Sequence, residues 1–258
     1  MAVAAIGQLN PGSGAGWKKT IPGNITLETI PEKVPMSLIS LFVVLSLFFY
    51  NVAGAEVYDD FNSGSIDSAK WMIRHVSRDA RGLFTQAGGR LLFSCDRDTG
   101  ESLVSTRSFT AGFFRIAFHD IHSTNNSPPA QGKGSFAAIG LGPRSNYVRM
   151  LRGRVSTGGY FEANHFTNGR LQLWYVPTEV SSGRLGLLYD GSTVLFFYNT
   201  GLDPDKGWQK VGPTVTPGWK SPPMLFISGY PGASGQTSFA MDNLEYLPLP
   251  LQPGIIPD

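Results

Sequence analysis

The chain has 258 residues, of which 41% are hydrophobic and 16% are charged, and this balance excludes a disordered polypeptide. The net charge is +2 and the basic residues are scattered, so there is no basic run and we expect no nucleic-acid partner. The single cysteine, Cys95, excludes an internal disulfide and a metal site built from several cysteines. The 31 glycines and 18 prolines are typical of many short strands joined by tight turns.

The first predicted element in chain order is an apolar export segment. Residues 34–55 contain no charged side chain, and Leu38–Tyr50 is almost continuously hydrophobic, like the central region of a signal peptide. The small residues at the end of this segment match the pattern that a signal peptidase recognises, which predicts cleavage between Ala55 and Glu56. Residues 36–55 are therefore predicted to be a signal peptide or a membrane anchor.

Two interpretations of this segment stay open. If translation starts at Met36, the leader is cleaved and residues 1–35 are a disordered extension from a mis-assigned start. If the segment is not cleaved, it is long enough to cross a hydrocarbon core of about 30 Å, and the preceding lysines favour a cytoplasmic N terminus. Both interpretations place residues 56–258 outside the cytoplasm. We expect a secreted, periplasmic or cell-surface protein, in contact with a membrane only through residues 34–55 if these are retained.

The exported part of the chain is predicted to contain β-strands only. No stretch after residue 55 keeps the 3.6-residue period of a helix, whereas several stretches alternate between apolar and polar residues. In residues 113–121, for instance, the apolar even positions point to one face, and Arg115 and His119 point to the other. The predicted strands are Val57–Phe61, Trp71–Val76, Leu83–Gln86, Arg90–Cys95, Ser102–Arg107, Phe113–Ile121, Ser135–Leu141, Tyr147–Arg152, Tyr160–Phe166, Leu171–Val176, Arg184–Tyr189, Thr193–Asn199, Met224–Tyr230 and Thr237–Tyr246.

So many strands do not fit one flat sheet, because twisted open sheets of this size curl or split into two packed sheets. We predict a two-sheet antiparallel β-sandwich, with residues 56–247 as one domain that follows the export helix. Residues 124–133 and 203–223 are predicted to be loops within this domain. Residues 248–258 are predicted to be a loosely held, proline-rich tail.

Three stretches of the domain resemble the concanavalin A-like lectin/glucanase superfamily. They are DDFN at Asp59–Asn62 with the following Trp71, GGRLLF at Gly88–Phe93, and the terminal Asp242–Asn243. The resemblance spans the whole exported domain and implies an all-β jelly-roll sandwich. It also implies a function somewhere among lectins, laminin-G-like modules and glycoside hydrolases. Since one fold serves all of these, the resemblance does not choose between them.

The resemblance raises the question of catalysis, and the spacing of the carboxylates in the sequence bears on it. Glucanases of this superfamily carry their catalytic carboxylates on one strand, in an E-x-D-x-(x)-E pattern that sets the catalytic pair about 5–5.5 Å apart. None of the glutamates after residue 55 begins this pattern on a strand. We therefore predict no catalytic residues. A glycoside hydrolase with an atypical site, assembled from different strands, stays an alternative, and so does a structural extracellular domain without a small ligand. The glutamates concerned are Glu56, Glu101, Glu162, Glu179 and Glu245.

A carbohydrate-binding or surface-interaction module is the favoured interpretation. Glycan-binding sandwiches present polar groups and flat aromatic rings on one sheet face, so that rings stack on sugars while polar groups bind hydroxyls. Three neighbouring predicted strands offer such a mixture, provided that their polar faces coincide. A glycan or cell-surface polymer is then the predicted partner. The predicted ligand-binding residues are Tyr160, Glu162, Asn164, Gln172, Trp174 and Arg149.

Calcium is the one cofactor that the resemblance implies, and no cofactor is the alternative. In the resembling families a cation often ties the first strand to the last. Asp60 and Asp242 lie in those strands here and carry the hard oxygen ligands that calcium prefers. An alternative role for Asp242 is to cap a turn or to pair with a nearby arginine.

Overall fold

The computed structural model describes residues 55–75, 83–96, 99–124, 134–155, 158–232 and 235–256. All of them belong to one unit, Val52–Asp258. These ranges contain fifteen β-strands and no helix. The strands are β1 (Glu56–Asp59), β2 (Trp71–His75), β3 (Phe84–Ala87), β4 (Arg90–Cys95), β5 (Glu101–Ser108), β6 (Gly112–Ser123), β7 (Ser135–Leu141), β8 (Asn146–Val155), β9 (Gly158–Thr167), β10 (Arg170–Thr178), β11 (Gly183–Tyr189), β12 (Val194–Asn199), β13 (Gln209–Lys210), β14 (Met224–Tyr230) and β15 (Thr237–Leu247).

The strands form two antiparallel sheets. Sheet A has the order β13-β12-β11-β6-β15-β4-β3, with β1 paired to β15, and sheet B has the order β10-β9-β8-β7-β14-β5-β2. The predicted two-sheet antiparallel sandwich is therefore confirmed. Each of the fourteen predicted strands is present. The one addition is the two-residue β13, which lies inside the loop predicted at 203–223.

The core lies between the two sheets because each sheet alternates its side chains. In β6, Phe114, Ile116 and Phe118 point into the main cluster of buried apolar residues, as the alternation predicts. Sheet B contributes alternate residues such as Ile139 and Phe161 from its inner face. A fully buried side chain of this size stabilises the fold by about 1.5–3 kcal/mol, so the alternation fixes which face of each strand looks inward.

A second apolar cluster covers the outer face of sheet A. Its buried members are Phe113, Phe197, Trp208, Leu247 and Ile255. Trp208 packs edge-on against Phe113, with ring centroids 5.0 Å apart, and its indole N–H donates to the Pro204 carbonyl. The tail predicted to be loose is thus held on this face up to Ile256, because the alternation of β6 and β12 leaves apolar residues pointing outward here.

Polar groups on the same outer face are also paired. Arg115, which is nearly fully buried, forms ion pairs with Glu245 and with Asp205. One of its terminal nitrogens also donates to the Pro204 carbonyl at 2.6 Å. Hydrogen bonds to three acceptors compensate for the removal of this guanidinium from water. This part of the outer face of sheet A is therefore covered by the loop that follows β12 and by the C-terminal segment.

Candidate functional site

The outward face of sheet B points away from sheet A. Unlike the outer face of sheet A, it contains an open cleft. Directly opposed residues on neighbouring strands share a face, so the register defines its rows. Asn164 is opposite Arg149, which is opposite Gly140, which is opposite Phe226. We call this surface the platform face. Its central side chains belong to Phe136, Tyr147, Arg149, Tyr160, Glu162, Asn164, Phe166, Phe226, Ser228 and Tyr230.

A cleft of about 570 Å³ lies on the platform face, and aromatic rings form much of its wall. Phe136, Tyr147, Phe226 and Tyr230 all line it. Tyr147 contacts Phe226 edge-on with centroids 6.0 Å apart, and Phe136 lies 5.7 Å from Tyr230. Rings fixed by each other in this way are rigid apolar surfaces, which suits them to stacking against a flat ligand.

Glycines lie beneath two aromatic rings of the platform face, those of Phe226 and Tyr160, and explain why these rings lie close to the sheet. A side chain at Gly140 would collide with the ring of Phe226, and one at Gly153 would collide with the ring of Tyr160. Both glycines occupy interior strand positions, where glycine otherwise weakens a strand. The missing side chains give the rings room to lie flat over the neighbouring strand.

Arg149 lies at the centre of the platform face. Its guanidinium carbon is 4.4 Å from the centroid of the Phe136 ring and 5.5 Å from that of Tyr147. Its Nε donates to Asn164 Oδ1 at 2.6 Å. Within the described part of the chain, no carboxylate forms an ion pair with this guanidinium. The terminal nitrogens are thus oriented by two rings and one amide, and they remain able to donate to a ligand.

Further cations line the cleft. Arg74 and Arg144 are both exposed, and neither forms an ion pair with any carboxylate among the described residues. His75 Nδ1 lies 3.0 Å from Glu101 Oε1, and Glu101 Oε2 accepts a hydrogen bond from the Phe84 amide. One oxygen of the Glu101 carboxylate is therefore hydrogen-bonded and the other lies beside His75 without a hydrogen bond, whereas Arg74 and Arg144 have no ion-pair partner among the described residues.

Two buried polar groups on the platform face lack a full set of partners. Glu162 is 1% exposed; its Oε1 accepts from the Asn164 amide, and its Oε2 has no partner among the described residues. Burial raises the pKa of the Glu162 carboxyl, while nearby Arg149 and the Asn164 hydrogen bond act in the opposite direction. Ser228 Oγ, which lines the cleft, is also buried without a described partner. An unmade hydrogen bond costs about 1–3 kcal/mol, so both groups are candidates for contact with ligand or water.

The structure brings together four of the six predicted ligand-binding residues. Tyr160, Glu162 and Asn164 alternate along β9 on the platform face, and Arg149 lies beside them on β8. Of these four, only Arg149 lines the cleft itself.

The other two predicted residues lie on the opposite face of sheet B. Trp174 is paired with Ala163, and Gln172 is paired with His165, so both point towards sheet A. Trp174 packs against the main core. The requirement that the polar faces of the three strands coincide therefore does not hold for β10. Its residues on the platform face are Leu171, Leu173 and Tyr175.

Several residues that line the cleft were not predicted from the sequence. Phe226, Ser228 and Tyr230 alternate with buried Leu225 and Ile227 along β14, and this alternation is the signal that could have found them. Tyr147 has the same parity as Arg149 on β8 and could have been found in the same way. Arg74 and Arg144 carried no such signal, because only the sheet order brings them to this cleft.

Hydrolysis of a glycosidic bond would need two carboxylates at a suitable distance. The seven strands of sheet B carry only two carboxylate side chains, Glu101 on β5 and Glu162 on β9. Three strands lie between β5 and β9, so at about 4.8 Å per strand the two backbones are about 19 Å apart. Glycosidases need their two carboxyl groups about 5–9.5 Å apart. These two glutamates are therefore not placed as a hydrolytic pair.

The described residues contain no group of three or more His, Cys, Asp or Glu side chains placed to hold a metal ion. β1 does pair with β15, so the first and last strands are neighbours. Asp60 is exposed, and hydrogen bonds from the side chain and from the backbone amide of Asn62 lower the pKa of its carboxyl. The calcium site at Asp60 and Asp242 stays a prediction.

The predicted export segment lies outside the described residues, apart from its end at Ala55. Ala55 and Glu56 are both exposed, and Glu56 begins β1. Cleavage between them stays a prediction. In the ranges that the structure covers, no helix has the length and apolar character needed to span a membrane.

Comparisons by sequence found nothing similar: no protein-family model matches the chain, and no curated protein does. Solved structures do match. The GH43 protein BlXynB from Bacillus licheniformis is 15% identical with a TM-score of 0.56, over 74% of this chain and 39% of that one. This chain therefore spans well under half of BlXynB.

Two further matches cover nearly the whole of the solved chain. A β-glucanase from Bacillus licheniformis is 10% identical with a TM-score of 0.51, over 73% of this chain and 95% of that one. The laminarinase catalytic domain from Thermotoga maritima is 11% identical with a TM-score of 0.50, over 74% of this chain and 96% of that one. Identities this low establish the fold alone. The domain has the two-sheet jelly-roll β-sandwich fold of these solved structures, which is the fold that the resemblance in its sequence motifs implies.

Proposed function

We propose that the domain binds a polysaccharide through the cleft on the platform face and does not hydrolyse it. One observation carries this proposal: rigid aromatic rings line the same open cleft as arginines that have no ion-pair partner among the residues the structure describes. Sugars present apolar faces to rings and hydroxyl groups to polar side chains, so this combination suits a glycan better than a wholly apolar or wholly charged ligand. The fold-level likeness to a β-glucanase and a laminarinase is consistent with it.

The two carboxylates on the strands of sheet B are too far apart for a hydrolytic pair, and this supports binding over catalysis. Glu162 has the raised pKa that a general acid needs, but the second carboxylate of sheet B is four strand spacings away. A binding module needs no such pair. The same polysaccharides should therefore be bound without release of reducing sugars.

The proposal also places the domain outside the cytoplasm, because residues 34–55 have the character of an export segment. Sequencing the N terminus of the protein from its host tests this part. A mature terminus at Glu56 supports cleavage after Ala55, and any other terminus contradicts it.

The binding proposal is tested with the full chain and a panel of soluble polysaccharides that includes neutral β-glucans, xylan, polygalacturonate and a sulfated galactan. Affinity electrophoresis measures binding, and a reducing-end assay on the same mixtures measures hydrolysis. We expect binding to at least one polymer, and we expect Tyr147→Ala to weaken it about tenfold, since this ring lines the cleft.

Tyr175→Ala is the matched control. Tyr175 is on the same face and 47% exposed, but it does not line the cleft, so its removal should leave binding unchanged. Equal losses for Tyr147→Ala and Tyr175→Ala would move the binding site away from the cleft. Binding to none of the polymers would overturn the proposal, and release of reducing ends would replace it with the hydrolase.

A further inference from the structure

We propose that the cleft selects polysaccharides that carry repeated negative charges, either carboxylates or sulfates. This inference rests on the proposed glycan-binding function and specifies the class of polymer. It follows from the charges that line the cleft and from the way in which they are spread across sheet B.

The charges in the cleft are unbalanced. Arg74, Arg144 and Arg149 contribute three guanidinium groups, whereas Glu101 contributes the one carboxylate. Glu101 is already held by the Phe84 amide and faces His75. The excess is local, since the whole chain has a net charge of only +2. A cleft with one sign of charge and apolar walls concentrates oppositely charged ligands.

The arginines are also poorly satisfied by the protein. Among the described residues none of the three has a carboxylate partner, in contrast to Arg115 on the other sheet, which has two. Guanidinium groups bind carboxylate and sulfate oxygens with two parallel N–H donors, and such charge-assisted hydrogen bonds are stronger than neutral ones. The ring contacts of Arg149 hold one of these donors in a fixed orientation.

The spacing of the arginines favours a polymer over a small anion. Arg149 is on β8 and Arg74 is on β2, and these strands are four positions apart in sheet B. At about 4.8 Å per strand, the two backbones are separated by about 19 Å. Arginines anchored this far apart suit successive charged sugars of one chain better than a single carboxylate or sulfate. The rings between the arginines would stack on those sugars, and Ser228 Oγ is placed to bind a hydroxyl group.

The test is isothermal titration calorimetry on the full chain with polygalacturonate, a sulfated galactan and neutral laminarin, at about 50 mM and about 300 mM NaCl. We expect the anionic polymers to bind at least tenfold more tightly than laminarin at low salt. The higher salt should weaken their binding, because exposed charges are screened beyond about 10 Å at 0.1 M salt. The two anionic polymers separate carboxylate from sulfate recognition.

The double variant Arg74→Gln/Arg144→Gln should bind the anionic polymer about tenfold more weakly and lose part of the salt dependence. Both side chains are exposed, so the melting temperature should not change. The double variant Lys206→Gln/Lys210→Gln is the charge-matched control, because both lysines are exposed and neither lines the cleft.

The outcomes separate this inference from the proposed function. Binding of laminarin as tight as that of the anionic polymers, without salt dependence, would overturn the charge selection and leave glycan binding intact. Binding to no polysaccharide would overturn both. A single-stranded oligonucleotide is titrated in parallel, and its binding more tightly than either anionic polymer would replace a glycan with nucleic acid. An unaltered affinity of the double variant would remove the arginines from the site.

Discussion

The outward faces of the two sheets use similar residues in opposite ways. On sheet A, Arg115 is buried with two carboxylates, and Trp208 packs among apolar neighbours under the C-terminal segment. On sheet B, Arg149 lies between two rings with one amide partner, and the rings of Tyr147 and Phe226 line an open cleft. Residue type alone therefore does not distinguish a structural face from a binding face. What distinguishes them is whether the polar groups have partners within the protein.

This difference has an energetic meaning. A buried polar group without a partner destabilises the fold, so a protein keeps it at little cost only where water or a ligand completes its hydrogen bonds. The outer face of sheet A contributes to stability, and the platform face is expected to contribute to binding. Substitutions on the two faces should separate these two contributions.

Trp208→Ala should have the largest effect on stability. Removing this buried ring leaves a cavity beside Phe113, and such substitutions cost about 3–5 kcal/mol of the free energy of unfolding. Denaturant unfolding measures the loss. Polysaccharide binding at a temperature where the variant is folded should be unchanged. Leu202→Ala, in the same loop but almost fully exposed, is the control and should have no effect. Equal stability of the two variants would contradict the structural role of this face.

Trp174→Ala sharpens the comparison within sheet B. Because Trp174 points to the core and is partly buried, we expect a loss of about 2 kcal/mol in the free energy of unfolding. Affinity for polysaccharide should stay the same. Tyr175→Ala, one residue away on the platform face, should preserve stability. A loss of binding by Trp174→Ala in the folded state would show that the ligand contacts the other face.

Arg149→Lys tests the geometry of the central guanidinium while keeping its charge. Lysine lacks the planar group that lies over Phe136 and donates to Asn164, so we expect binding to weaken by about 1 kcal/mol, roughly fivefold. Calorimetric titration measures the change. Arg184→Lys is the control, since Arg184 is on sheet A and donates to the Gly201 carbonyl. An affinity equal to that of the unaltered chain would mean that only charge matters at this position.

Glu162→Gln should have the smallest effect, and it depends on pH. Burial raises the pKa of Glu162, so the folded chain binds the proton more tightly than the unfolded chain does. The stability that this proton contributes is present below the ordinary pKa and is lost as the pH rises through the raised pKa. Glutamine resembles the protonated form, so the variant should melt like the wild type near pH about 4 and at a higher temperature near pH about 7. A difference of the opposite sign, or none at either pH, would contradict this account.

The fold could be predicted almost entirely from local patterns. Period-2 alternation and glycine-rich turns located the strands, since the pleat and the turn conformations are set by neighbouring residues. The loose tail was the main departure. Ile255 packs on the outer face of sheet A next to Trp208 and Phe197, which are distant in sequence. No short-range pattern reveals such a contact.

The site could be predicted in part. Alternation shows which residues of one strand share a face, but not which face of the next strand lies beside it. For β9 and β10 the sequence did contain the answer. Asn168 and Gly169 form a two-residue turn with positive φ at both positions, and counting outward from that turn pairs Trp174 with Ala163. Long connections separate β2, β8 and β14 in the sequence. The presence of Arg74 and Arg149 in one cleft therefore depends on the sheet order alone.

The glycine beneath the Phe226 ring gives the cleft an adjustable depth. The height of this ring above the sheet is set at Gly140, a position that has no side chain to offer a ligand. A methyl group at Gly140 would lift the ring and make the floor of the cleft shallower, without replacing any residue that lines it. The shape preference of this domain could therefore diverge between relatives through changes that leave its aromatic and charged residues identical.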